Sequence, residues 1–156
     1  MKDRLYDPIR NSYVLALPEE IVRQKYLSLM IDKLGFSKSL IAVEKDLRLL
    51  PHLQEKDFTK VKRRADIISF AKDIHPSYSI YPLLMIECKA CKLSKDTISQ
   101  VLGYNHFVGA YFVSIANGYE IITYWYNINE KKYNSVNFLP SYKEMIQAIR
   151  HASNKK

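Results

Sequence analysis

Cysteine is scarce in this chain, with Cys88 and Cys91 the only two in 156 residues. They make one Cys-x-x-Cys, with no second pair to complete a four-thiolate zinc site. The four histidines, His52, His75, His106 and His151, show no paired ligand spacing. A thioredoxin-type pair would open a helix, whereas Cys88 falls inside an apolar strand-like run. A small buried apolar residue is therefore expected there, not zinc or redox chemistry. Glycine is sparse too, at four residues, and none belongs to a Gly-rich loop of the kind that cradles nucleotide phosphates, so no ATP site is expected. Long hydrophobic runs are missing. The longest mostly apolar window, Phe107 to Ala116, is far short of the ~20 residues needed to cross a bilayer. The charged start Met1-Lys2-Asp3-Arg4 and the short run Val14 to Leu17 do not make a secretory segment. The expectation is no membrane association and a cytoplasmic protein. Negative charge is in deficit: 16 acids face 24 lysines and arginines, for a net charge of +8. That balance favours an anionic partner, nucleic acid first, although solubility alone would also account for it.

What remains is a globular composition, 47% hydrophobic and 26% charged, in a length that suits one domain over 1–156. Residues 1–17 read as an irregular arm and 153–156 as a basic tail. Pro18-Glu19-Glu20 opens a helix, with proline in the first turn and acids at the positive end of the helix dipole. Val22, Tyr26, Leu29 and Met30 continue it at helical spacing, and Gly35 closes it. Alternation predicts a strand over Leu40 to Leu50 and a second over Ala65 to Phe70, with a loop over Lys72 to Tyr81. Leu83-Leu84-Met85-Ile86 is continuously apolar, as in a central strand covered on both faces. A second helix starts at Ser94, strands follow at Tyr111 to Ile115 and Tyr119 to Tyr126, and Lys132 to Leu139 is a further candidate strand. Pro140-Ser141 opens a last helix. The order α-β-β-β-α-β-β-α predicts an α/β fold, a mixed β-sheet flanked by helices.

The chemistry concentrates in Asp66 and Ile86-Glu87-Cys88-Lys89. Residues i and i+2 of a strand share a face, so Glu87 and Lys89 project together and Cys88 points the other way. If Asp66 lies on the neighbouring strand, two hard carboxylates and one ammonium meet. That set suits Mg²⁺ or Mn²⁺, held by one or two carboxylates and by phosphate oxygens of a substrate. A backbone carbonyl near Cys88 would complete the protein's share. The plainer alternative is Glu87 paired with Lys89 or Lys92 at a strand end near solvent.

This constellation resembles the PD-(D/E)xK nuclease superfamily, and within it the N-terminal nuclease domain of type I restriction enzyme R subunits. The resemblance spans about Pro18 to Gly118. It rests on Pro18-Glu19-Glu20-Ile21-Val22-Arg23-Gln24, Leu34-Gly35-Phe36, Glu44, Arg64-Ala65-Asp66-Ile67, Ile86-Glu87-Cys88-Lys89-Ala90, Gln100 with Tyr104-Asn105, and Ala116-Asn117-Gly118. It implies a restriction-endonuclease-like fold with an αβββαβ core and Mg²⁺-dependent hydrolysis of DNA phosphodiester bonds. It also implies a catalytic core of Asp66, Glu87 and Lys89, with Gln100 and Tyr104 beside the active site and DNA. A first-helix glutamate, Glu20 or else Glu19, would join Asp66 and Glu87 at the metal. Ala65 stands where the superfamily's name has proline, which removes no catalytic group.

Two weaker signals accompany these. Lys60-Val61-Lys62-Arg63-Arg64 is a basic cluster suited to a phosphate backbone or, equally, to solvent. Tyr124-Trp125-Tyr126 could stack bases, or be ordinary strand residues. The rival reading is a non-catalytic nucleic-acid-binding or adaptor module that retains the fold. DNA versus RNA is open. With no motor and no evident target-recognition segment, the chain is expected to act with a protein partner or as a homodimer paired along a late edge strand.

Overall fold

The computed structural model describes residues 2–54, 56–57 and 64–154. Lys60, Lys62 and Arg63 of the basic cluster lie outside the described residues, as do the two terminal lysines of the expected tail.

The order of elements is β1 (Arg4–Asp7), β2 (Ser12–Leu15), α1 (Pro18–Asp32), β3 (Ile41–Asp46), β4 (Arg64–Lys72), β5 (Ile80–Cys88), α2 (Lys95–Val108), β6 (Phe112–Ala116), β7 (Ile121–Asn127), β8 (Lys132–Val136) and α3 (Tyr142–Ser153). Strands β3 to β8 form one six-stranded sheet in sequence order. Every neighbouring pair is antiparallel except β5 and β6, which are parallel. A parallel pair needs a crossover, and α2 supplies it. The run from α1 through β6 is the expected αβββαβ core, and the whole is the expected α/β fold, a mixed sheet flanked by helices.

Residue type explains which face each helix covers. Val22, Tyr26, Leu27 and Met30 of α1 and Met145 and Ile146 of α3 pack with Ile67, Leu84, Ile86 and Cys88 on one side of the sheet. On the other, Val101 and Val108 of α2 pack with Ile68, Met85, Val113 and Ile115. Strand β5 is buried from Tyr81 to Cys88, as its continuous apolar run requires. Ser94 caps α2 by accepting from the Thr97 backbone N–H, and Ser141 and Glu144 form a capping box on α3.

Three segments differ from the sequence expectation. The arm over 1–17 is a β-hairpin, not irregular chain, with Tyr6 opposite Tyr13. Its anchor is Asp7, fully buried, which accepts from the Arg10 side chain and from Gln24 on α1. The strand expected over Leu40 to Leu50 stops at Asp46, whose carboxylate accepts from the Arg48 N–H and starts a 3₁₀ turn over Leu47–Leu49. That turn sends Leu47 into the α2 side of the core and leaves Leu49 exposed. The loop expected over Lys72 to Tyr81 is shorter, because β4 reaches Lys72 and β5 starts at Ile80. Pro82 fits inside β5 because the β4–β5 register shifts at Ser69 and Phe70, at the point where Pro82 pairs.

Candidate active site

The antiparallel register sets Ile67 opposite Ile86. The paired register ends there, and Asp66, the preceding residue of β4, reaches the end of β5 through its Oδ2, which accepts from the Cys88 N–H at 2.8 Å. Both carboxylates are buried, Asp66 at 9% and Glu87 at 4% exposure. Ile86 and Cys88 belong to the α1 side of the core and Met85 to the α2 side. Alternation then puts Glu87 towards α2 and Cys88 away from it, as the sequence predicts.

Lys89 leaves the end of β5 on the same side as Glu87. Its Nζ is 3.7 Å from Glu87 Oε1, longer than a tight charge-assisted hydrogen bond. The backbone here is fixed from β6: Lys89 donates its N–H to the Ala116 carbonyl at 2.8 Å. Asn117 then donates from Nδ2 to the Cys91 carbonyl and accepts from the Tyr119 and Glu120 N–H groups. The Asn117-Gly118 turn is tied in its turn to α1, through Lys25 Nζ to the Gly118 carbonyl. The segment that carries Lys89 is thus held by β6 and the turn after it, which accounts for Ala116-Asn117-Gly118 in the sequence pattern.

Tyr104 comes from α2, the helix towards which Glu87 points. Its hydroxyl is buried and has no hydrogen-bond partner among the described residues. Burial, and then the charges of Glu87 and Asp66, push its pKa well above that of a free phenol. Gln100 lies on the same helix, one turn earlier and exposed.

Asp66 is also reached from α1. Its Oδ2 accepts from the Cys88 N–H at 2.8 Å, and its Oδ1 lies 3.3 Å from Arg23 Nη2. The same guanidinium donates to Glu20 Oε2 at 2.7 Å and to Glu44. Burial works against the Arg23 charge, yet Glu20, Glu44 and Asp66 together hold its pKa above the ordinary arginine value. Glu20 continues outward to Arg10, at 2.6 Å, and to Gln24, at 2.9 Å.

Asp66, Glu87, Lys89 and Tyr104 are therefore brought together. Glu20 is linked to Asp66 through Arg23. Glu19 is exposed on the first turn of α1. Arg64 is exposed at the start of β4, opposite Asp46. Hydrogen bonds from Arg48, with Arg64 as a weaker contributor, lower the Asp46 pKa to about 2. Cys88 is buried and Cys91 exposed. The sequence reading gave no role to Arg23, Gln24, Glu44 or Asp7. The available signal was helical spacing: Arg23 and Gln24 fall three and four residues after Glu20, on one face of α1.

Among the described residues no three His, Cys, Asp or Glu side chains gather as metal ligands. Any divalent ion here would rest on two protein carboxylates. Asp66 and Glu87, with a carbonyl at Cys88, are hard oxygen donors of the kind Mg²⁺ and Mn²⁺ take, with the remaining positions left for water and phosphate. The buried, unpartnered Tyr104 hydroxyl beside them is a further donor for such a shell. The residues present fit a hard divalent ion.

No helix of the described chain is long and apolar enough to cross a membrane. No curated protein and no solved structure matches the chain. The family model described as type I restriction enzyme R protein N terminus does match, over residues 18–140, from the first turn of α1 to just short of the last helix. With the αβββαβ core and the Asp66, Glu87 and Lys89 arrangement inside the matched span, the chain belongs to the type I restriction enzyme R protein N-terminus family.

Proposed function

We propose that this chain is a metal-dependent nuclease that hydrolyses DNA phosphodiester bonds. The observation that carries the reading is a pair of buried carboxylates at the end of β5, Asp66 accepting from the Cys88 N–H at 2.8 Å and Glu87 with the Lys89 ammonium 3.7 Å away. Two buried acids beside one partly exposed amine cost stability unless something uses them. A bound Mg²⁺ or Mn²⁺ would supply Lewis acidity towards a phosphate oxygen and a more acidic water.

The protein groups then have distinct tasks. Asp66 and Glu87, with the Cys88 carbonyl, would hold the ion. Lys89, partly exposed beside Glu87, would orient the attacking water and offset the negative charge that grows on the phosphate. The Tyr104 hydroxyl, too weak an acid to ionise here, serves as a neutral donor to a water or a phosphate oxygen. Exposed Gln100 extends the donor row along α2 towards the backbone of a bound strand. The net charge of +8, and the basic run that ends at Arg64, suit the phosphate backbone.

A second reading has one observation in its favour. Arg23 already lies against Asp66, as it would in a binding or adaptor module that retains the fold without cutting. Under either reading the exposed edge strand β8 is the surface for a protein partner or a second copy, and the cytoplasm is the compartment.

The test is cleavage of single- and double-stranded DNA, and of RNA, by the purified chain with Mg²⁺, Mn²⁺ or chelator. Metal-dependent cleavage of DNA that is lost in Lys89→Ala is expected. Binding without cleavage under every metal condition would favour the second reading.

A further inference from the structure

Asp66 is held at both oxygens. Oδ2 accepts from the Cys88 N–H at 2.8 Å, and Oδ1 lies 3.3 Å from Arg23 Nη2. The first donor is backbone of β5 and is placed by the sheet. The second is a side chain, placed only as well as its own partners hold it. Those partners are Glu20, whose Oε2 accepts from Arg23 Nη1 at 2.7 Å, and Glu44. Glu44 has φ of 54°, the left-handed region that costs a residue with a Cβ. At that point the β3–β4 ladder skips from Val43 opposite Ile67 to Lys45 opposite Ala65. Strand β3 thus departs from regular pairing at the residue that meets Arg23.

Glu20 is held in its turn. Its Oε1 accepts from Arg10 Nη2 at 2.6 Å and from Gln24 Nε2 at 2.9 Å. The same two side chains donate to Asp7 Oδ2, Arg10 through Nε at 2.7 Å and Gln24 at 2.9 Å. Asp7 Oδ1 accepts from the Ile9 and Arg10 backbone N–H groups at 2.7 and 2.8 Å. A continuous line of charge-assisted hydrogen bonds therefore runs from fully buried Asp7 through Arg10, Glu20 and Arg23 to Asp66. Two of its links are guanidinium forks, which fix direction as well as distance. The line starts in the β1–β2 hairpin, ahead of the span 18–140 that the family model matches.

We propose that the β1–β2 hairpin sets the position of Asp66 through Arg10, Glu20 and Arg23. The inference rests on the reading of Asp66 as an ion-holding group. Arg10, Glu20 and Arg23 are positioning residues, acting through Asp66. Breaking any link leaves the Asp66 carboxylate with its backbone donor alone, able to turn away from the ion.

The test uses the full chain with Arg10→Gln, Arg23→Gln and the double variant, each checked for a cooperative melting transition. Three quantities are read: kcat and KM for DNA cleavage, and affinity for Mn²⁺ alone from the loss of the free-Mn²⁺ electron paramagnetic signal. Arg23→Gln is expected to lower kcat by up to about 10²-fold, as a small misplacement of a reacting group does. It should weaken Mn²⁺ binding while leaving KM for DNA unchanged. Arg10→Gln should show a smaller loss in the same two quantities, and Arg10→Lys, which keeps one of the two carboxylate contacts, should recover part of it. The double variant should be no worse than Arg23→Gln, because links in series are non-additive. If Arg23→Gln fails to fold, Arg10→Gln with Glu20→Gln makes the same cycle. Wild-type kcat and Mn²⁺ affinity in Arg10→Gln, a loss confined to KM, or losses that multiply would each overturn the inference and leave the ion-holding reading intact. A wild-type chain that binds Mn²⁺ without cleaving would sink the nuclease reading, and the Mn²⁺ affinities would then decide the inference. No bound ion in the wild type at millimolar Mn²⁺ would sink the ion-holding reading and the inference with it.

Discussion

The two ends of the β4–β5 pair are built from opposite materials. One end, where β4 starts and β5 finishes, buries charge: Asp66, Glu87 and Arg23, with Lys89 at the rim. The other end, where β4 finishes and β5 starts, gathers rings: His75 stacks on Tyr81 at 4.3 Å, and His52 and Tyr111 contact the same tyrosine. Polar atoms of three of these rings end on backbone carbonyls, and His75 Nδ1 accepts from the Ser77 N–H. Tyr81 donates to Gly109, Tyr111 to Ile74, and His52 Nε2 lies 2.7 Å from the Val108 oxygen. Groups satisfied by the protein's own backbone have little left for a substrate. At the charged end, carboxylates meet cations from separate elements and a phenol has no partner among the described residues. The strand pair is therefore asymmetric, with packed rings tied to the backbone at one end and buried charge at the other.

The largest separation of the two ends should appear in catalysis. Asp66→Ala, Glu87→Ala and Lys89→Ala should each lower metal-dependent DNA cleavage by roughly 10²–10⁴-fold, with melting transitions still cooperative. Tyr81→Phe should leave the cleavage rate within about twofold. A folded Glu87→Ala variant that cleaves at the wild-type rate would erase the distinction.

Stability should separate the ends in the other direction. Gly109 caps α2 with φ of 77°, and a Cβ there would sit 2.8 Å from Tyr81 Oη. Gly109→Ala then carries both a left-handed backbone penalty and a clash, for a loss of about 2–4 kcal/mol in denaturant unfolding. Metal binding by the variant that remains folded should be unchanged. A neutral substitution would show that the ring end is loosely closed.

The same end should respond to mild acid. Burial is the main cause that lowers the His52 pKa below its ordinary 6.5, with His75 and Lys56 adding to it, while the Val108 carbonyl works the other way. The folded form thus resists a proton that the unfolded chain accepts. Stability is intact above pH about 6.5, where both forms are neutral, and falls as the pH drops from there towards the lowered folded value. Comparing the wild type with His52→Gln across pH 7.5 to 5 should show the wild type losing more of its melting temperature on acidification. Parallel curves would remove His52 as the cause.

The charged end was legible in the sequence and much of its support was not, for a physical reason. A carboxylate inside an apolar strand is conspicuous, and the two-residue repeat of a strand ties Glu87 to Lys89 with no further information. The long apolar run of Leu83 to Ile86 likewise announces a central strand. Arg23 sits on a helix that also carries Glu19, Glu20 and Lys25, and there a buried arginine looks like any solvated one. Only the convergence of α1, β3 and β4 reveals it. The β1–β2 hairpin was hidden similarly, because Asp7 is held by Gln24, 17 residues away. At the ring end, Pro76 and Ser77 speak for a loop, while the strand residues beside them are fixed by the cross-strand bulge at Ser69 and Phe70.

A smaller effect should appear in DNA affinity. Neutralising Lys62, Arg63 and Arg64 together should flatten the slope of log affinity against log salt on duplex DNA. The change should be about 0.9 for each phosphate that these side chains no longer neutralise. An unchanged slope would move the DNA-facing surface away from the start of β4.

The central claim is that Asp66 and Glu87 act as one ion-holding unit. Groups that serve a single unit are non-additive when removed. The direct test is a cleavage cycle with Asp66→Ala, Glu87→Ala and the double variant, under one Mg²⁺ concentration and on one DNA substrate. A double variant no slower than the slower single is the predicted result. Losses that multiply would show two carboxylates working independently, and would contradict the account.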